Sequence, residues 1–162
     1  MHWGVCMESV RIVLAMSSDT SIIKLKTILT ENGYTVVDSA REGNETLRKL
    51  RAVKPDLVIL EYDLSSMNGC EVAKVAIEDK LCDVVLITSS TQKSVVDELK
   101  YESGFICMAK PLNKFALIST VDLMARNRKK IRELEKEIEG LKETLETRKE
   151  VEKAKGLLMK HL

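Results

Sequence analysis

The chain has 162 residues, 44% of them hydrophobic, and a formal charge of +1; that suits one compact domain with an appendage and excludes a disordered chain. No apolar run reaches the roughly twenty residues of a membrane span, and residues 1–6 lack the pattern of a secretory leader. The charge is uneven: residues 126–162 hold twelve Lys/Arg against eight Asp/Glu, net +4, which leaves −3 for the rest.

Residues 1–9 read as a disordered stretch or an extension. Arg11 to Met16, apolar from Ile12 onward, is expected to form a buried strand, and Ser17, Ser18 and Asp19 supply a loop and helix N-cap. Ile22, Ile23, Leu25, Ile28 and Leu29 recur at helical spacing until Asn32 and Gly33 end that helix. Tyr34 to Val37 reads as a second strand. After Gly43 and Asn44, Leu47, Leu50 and Val53 mark a helix that stops at the Lys54–Pro55 break. Leu57 to Leu60 are four consecutive aliphatics leading to Glu61, Tyr62 and Asp63, the pattern of a central strand buried on both faces. Asn68 and Gly69 open a third helix through Val72, Val75 and Ala76. Asp83 to Thr88 is the fourth strand, and Val95, Val96 and Leu99 mark a fourth helix. Gly104 precedes a fifth strand, Phe105 to Ala109, closed by Lys110 and Pro111. This alternation predicts an α/β fold, a doubly wound sheet of five parallel strands, over residues 10–125.

No proline follows Pro111, and the apolar period lengthens. Ile131, Leu134, Ile138, Leu141 and Leu145 step by three and four, a coiled-coil seam with Ile at a and Leu at d, which favours a parallel homodimer over residues 126–147. Lys130 and Glu137 at g then face Glu135 and Lys142 at e of a second copy, pairs of opposite sign. A surface helix packed on its own domain is the alternative. Past Leu145 the seam gives way to Val151, Ala154, Leu158 and Leu162, a stripe on another face that needs another partner.

Cys6, Cys70, Cys82 and Cys107 have neither metal-ligand nor thioredoxin-like spacing and read as reduced thiols of a cytoplasmic protein. His2 and His161 stand at the two ends, which argues against a histidine-centred site. Without a phosphate-cradling glycine loop, nucleophile elbow or ligand cluster, no enzyme activity is expected.

Ligand chemistry in open α/β sheets collects outside the carboxyl ends of the strands. There Met16 and Ser17, Glu61, Thr88 and Lys110 meet. The layout resembles the receiver domain of two-component response regulators, on the run from Arg11 to Tyr34, Pro55 to Gly69, and Lys110–Pro111. The resemblance implies a flavodoxin-like fold in which an acidic pair after strand one holds Mg²⁺, an aspartate after strand three accepts phosphate, a Thr/Ser and a Lys contact the phosphoryl group, and an aromatic on strand five reports the switch. Thr88 and Lys110 match. Met16 and Ser17 stand in place of the acidic pair, Glu61 in place of the aspartate and Cys107 in place of the aromatic. A thioether is a soft ligand for a hard ion, so no Mg²⁺, no cofactor and no phosphotransfer are expected; Asp19 and Asp63 could serve a metal only with movement of their loops. Glu61 could instead reach Lys110 and Thr88, either imitating the phosphorylated state or neutralising a relic pocket.

Residues 148–162 carry a second resemblance. Thr147 to Met159, with Ala154-Lys155-Gly156 and Leu158-Met159, looks like the first helix of an ANTAR domain, two further helices of which are absent. That resemblance implies binding of paired hairpins in nascent transcripts and prevention of termination. Arg148, Lys149, Lys153, Lys155 and Lys160 against Glu150 and Glu152 give a small phosphate-contacting patch of net +3, with no aromatic for base stacking. Two functions follow. In the first, a non-phosphorylatable receiver controls a dimeric, truncated ANTAR-type antiterminator, its signal arriving from a partner or ligand at the surface of the fourth helix, fifth strand and fifth helix. In the second, the chain is a dimeric interaction module that binds or sequesters another regulator without RNA.

Overall fold

The structure, a computed structural model, describes residues 10–89, 97–99 and 101–160, with side chains through Ala154. Among the described residues nine elements follow in order: β1 (Arg11–Ala15), α1 (Asp19–Glu31), β2 (Thr35–Ala40), α2 (Gly43–Val53), β3 (Leu57–Glu61), α3 (Gly69–Glu78), β4 (Asp83–Thr88), β5 (Phe105–Ala109) and α4 (Lys114–Lys160). The five strands form one parallel sheet in the order β2-β1-β3-β4-β5. The expected fourth helix falls largely outside the described residues; Leu99, in a short 3-10 turn over residues 97–99, is buried.

Alternation along the strands divides the core between the two sheet faces. Val13, Ala15, Val58, Leu60, Val84 and Leu86 pack with Leu47 and Leu50 of α2 and Val72, Ala73 and Ala76 of α3. Ile12, Leu14, Ile59, Val85 and Ile87 pack with Ile22, Leu25 and Leu29 of α1 and with Leu117, Val121 and Met124 of α4. Burying each of the larger side chains contributes about 1.5–3 kcal/mol.

Three local readings change. Ile23 is 64% exposed: the buried stripe of α1 is Ile22, Leu25 and Leu29, and Ile23 points about 100° away from Ile22. β1 ends at Ala15. The second strand begins after Tyr34 and runs to Ala40, because its polar half, Asp38 and Ser39, still pairs with Val13 and Leu14 beyond a bulge. Tyr34 instead donates its hydroxyl proton to Asp122 of α4.

The loops are fixed by specific caps. Asn68 accepts the Glu71 amide at 2.9 Å to start α3. Lys54 ends α2 in the left-handed region at φ 49°, and the chain re-enters the sheet where the Arg11 amide donates to Asp56 Oδ2 at 3.0 Å. The chain divides into two compact units, Met1–Met124 and Ala125–Leu162, with α4 continuous through the boundary. No helix among the described residues is long and apolar enough to cross a membrane.

Candidate functional site at the carboxyl ends of the strands

Glu61 is the last residue of β3, and its side chain is buried, 7% exposed. A buried carboxylate must find partners, and Glu61 has two. Its Oε1 accepts the Ser17 backbone amide at 2.5 Å, and its Oε2 accepts the Lys110 ammonium at 3.4 Å. β3 lies beside β1, so a side chain leaving the end of β3 meets the loop after β1; Lys110 follows β5 directly and donates its amide to Thr88 O at 2.8 Å. The result is one carboxylate joining the exits of three strands.

Thr88 and Cys107 form a second pair. Thr88 is 1% exposed, and its hydroxyl lies 3.4 Å from the Cys107 thiol, set up by the pairing of Leu86 with Cys107 and Thr88 with Ala109. The expected contact of Glu61 with the Thr88 hydroxyl is replaced by this one. Met16 also leaves the crevice: 3% exposed, it continues the Ile12, Leu14 face of β1 into the core. Of the sequence-derived set, the structure brings together Ser17, Glu61 and Lys110, places Thr88 beside Cys107, and removes Met16.

Arg41 was missed by the sequence reading. Just beyond β2, it donates to Ser17 O at 3.2 Å and pairs with Asp19 at 3.4 Å, so it holds the loop that presents the Ser17 amide. Its only signal was its position after the strand neighbouring β1. Gly69, read from the sequence only as the opening of the third helix, also shapes the site. A Cβ there would lie 2.2 Å from Glu61 O, and its amide donates to Tyr62 O at 2.8 Å; only glycine lets α3 begin so close to the end of β3.

The donor set does not suit Mg²⁺. Both Glu61 oxygens are engaged, the Met16 thioether is turned into the core, and Asp19 is held by Arg41. Among the described residues no group of three or more His, Cys, Asp or Glu could hold a metal. Cys70, Cys82 and Cys107 are not joined in disulfides, and burial pushes the Cys70 thiol above its ordinary pKa, keeping it protonated.

In the second unit Ile131, Leu134, Ile138, Leu141 and Leu145 are 45–64% exposed along one helix. Arg148, Lys149 and Lys153 are exposed on the same helix. The side chains of Lys155, Lys160 and Leu158 lie outside the described residues, as does Leu162.

A five-stranded parallel sheet in this order, with a site where the carboxyl ends of its strands meet, is the flavodoxin-like arrangement that receiver domains share with other folds of this kind. The profile of the response regulator receiver domain matches residues 13–122, and the chain belongs to that family. It is similar to the transcriptional regulatory protein PdtaR of Mycobacterium tuberculosis, 32% identical over 148 residues, covering 91% of this chain and 72% of that protein. It is also similar to the chemotaxis protein CheY of Thermotoga maritima, 24% identical over 103 residues, covering 63% of this chain and 86% of that one. Among solved structures, the receiver domain of the response regulator NarL from Mycobacterium tuberculosis superposes with a TM-score of 0.66 at 22% identity, covering 74% of this chain and 98% of that one. That likeness concerns the fold.

Proposed function

We propose that this chain is a cytoplasmic two-component-type regulator whose receiver takes no phosphoryl group and whose output runs through a dimeric helix carrying the start of an ANTAR-type RNA-binding element. The observation that carries the receiver part is Glu61: a glutamate stands at the end of β3 with both oxygens already held, by the Ser17 amide and by Lys110. The Thr88 hydroxyl turned to Cys107 favours a neutralised relic over an imitation of the phosphorylated state, since an imitation would recruit that hydroxyl. Control then passes to dimerisation. Similarity to a transcriptional regulatory protein over 91% of the chain supports an output at the level of transcription.

Exposure to a small phosphodonor with Mg²⁺ leaves the intact mass unchanged; a gain of one phosphoryl group overturns the receiver reading. Hairpin RNA shifts on a gel with strong salt dependence, and no shift at low salt removes RNA from the function. The second reading, a dimeric module that binds another regulator, is favoured by Val151, a half-exposed valine outside the seam. It predicts a stable protein partner in a pull-down that is lost on Val151→Asp.

A further inference from the structure

The positive charge of Ala125–Leu162 is concentrated at its beginning. Arg126, Arg128, Lys129, Lys130 and Arg132 place five cations in seven residues, and no Asp or Glu occurs between Asp122 and Glu133. Residues 133–152 reverse the sign, with eight Glu against four Lys/Arg. The net excess of the whole tail therefore comes chiefly from this band, and the stretch beyond residue 152 adds Lys153, Lys155 and Lys160.

The band lies within the continuous helix α4, where residues 126–132 rise by about 9 Å. At about 100° per residue, Arg126 and Lys130 flank one side of the arc occupied by Asn127 and Ile131, Arg128 and Arg132 flank the other, and Lys129 points away from it. Arg126, Lys129, Lys130 and Arg132 are exposed, and Arg128 is half-buried. None of the ion pairs among the described residues involves Arg126, Lys129 or Lys130. Like charges three and four residues apart oppose helix formation, so the helix carries a cost that a polyanion would remove.

We infer that residues 126–132 form a phosphate-contacting site for a nucleic-acid duplex, such as the stem of an RNA hairpin, separate from the tail patch at Arg148, Lys149 and Lys153. The spacing fits this ligand: a duplex carries one phosphate charge per about 1.7 Å of axis, about five over the length of the band. A bilayer fits less well, because an interfacial helix is held by a broad apolar face as well as by charge, and Ile131, the sole large apolar residue in the band, lies in the expected seam. The inference deepens the RNA reading above and rests on it. In a parallel dimer the two bands lie at the same height, one on each side of the seam, and Lys130 of each copy also faces Glu135 of the other.

The test uses the full chain and a fluorescent RNA hairpin, with affinity measured by anisotropy across a salt series. Arg126→Gln/Lys129→Gln/Lys130→Gln keeps helix propensity and is compared with Lys149→Gln/Lys153→Gln. Circular dichroism and sedimentation check helix content and oligomeric state. The band variant is expected to bind at least about tenfold more weakly, with a log–log salt slope reduced by about two to three; Lys129→Gln alone, on the side away from the seam, reduces the slope by about one. If the band variant keeps the wild-type affinity and slope while the tail variant loses binding, the RNA reading stands and this site falls. If the wild type binds no hairpin at low salt, both fall. Binding to phosphatidylserine vesicles that needs the band, with no binding to RNA, replaces nucleic acid by a lipid surface and overturns the assignment.

Discussion

Glu61 decides what the receiver crevice can do, because a carboxylate buried there is tolerated only while its partners hold it. Glu61→Gln keeps an acceptor for the Ser17 amide but loses the charge facing Lys110; since that ammonium is half-exposed and screened, the expected loss is about 0.5–1 kcal/mol. Glu61→Ala leaves the Ser17 amide without its acceptor, and the expected loss is about 1–3 kcal/mol. Urea midpoints for the two variants should fall in that order, and equal midpoints would deny the Ser17 contact any weight. Gly69→Ala is expected to cost at least about 1–3 kcal/mol through overpacking, because the new methyl meets the Glu61 carbonyl, backbone that cannot swing aside; a wild-type urea midpoint would show that α3 can shift. Much of this site was legible from strand ends alone, which bring Glu61 near Lys110. The direction of a side chain at a strand end was harder. Met16 shares the parity of Ile12 and Leu14, and so faces the core. The Ser17 amide was invisible to a reading of side chains, since backbone donors carry no residue signature.

At the scale of elements, α2 is tied to the polar half of β2 by Lys49, whose ammonium lies 3.1 Å from Asp38 Oδ1 and 3.0 Å from Glu45 Oε1. Burial alone would lower the Lys49 pKa, but its hydrogen bonds to Glu45 and Asp38 outweigh that and raise it above the ordinary 10.5. The Lys49 hydrogen bond holds Glu45 below the ordinary 4.5. The raised amine stabilises the fold fully below its unfolded pKa, and this is lost as pH climbs through the folded value. The depressed carboxyl stabilises the fold above its unfolded pKa, and this is lost as pH falls through the folded value. Both are present between, so Lys49→Met is expected to cost about 1 kcal/mol near neutrality and to flatten the acid limb of a plot of urea midpoint against pH; parallel wild-type and variant curves would deny the linkage. Element boundaries were legible where apolar runs are bounded by turn residues, as in Asp83–Thr88 and Phe105–Ala109. They were not legible in β2, where Asp38 and Ser39 sit on a sheet edge that tolerates polar side chains. In α4, Gly140 faces open space, with nothing beyond its own turn of helix within 4 Å of where a Cβ would stand, so Gly140→Ala is expected to stabilise the helix by about 0.5–1 kcal/mol, read as a gain in helical ellipticity on heating.

For the whole molecule, the two units are stabilised by different means. The receiver unit buries side chains on both faces of its sheet, whereas no described side chain from residue 126 to 154 is buried. A helix with nothing buried has only intrinsic propensity and i,i+4 pairs to hold it, and such helices are marginal in water. Five aliphatics spaced at three and four along it, each about half-exposed, are the surface a second copy would cover, and the g and e charges, Lys130 with Glu135 and Glu137 with Lys142, suit a parallel copy in register. Leu141→Asp places a carboxylate at a d position in both chains. The transfer term alone is about 1.5–3 kcal/mol per copy, and each 1.4 kcal/mol is tenfold in affinity, so the dimer constant should weaken by at least about a hundredfold. On the dimer proposed above, sedimentation equilibrium should then show a monomer for the variant and a dimer for the wild type, and the far-ultraviolet ellipticity should fall, because the unpaired helix frays while the receiver core, which contains no seam residue, keeps its own unfolding transition. A wild type that stays monomeric at high concentration with its helix content intact would mean that the rod is held by something other than its twin.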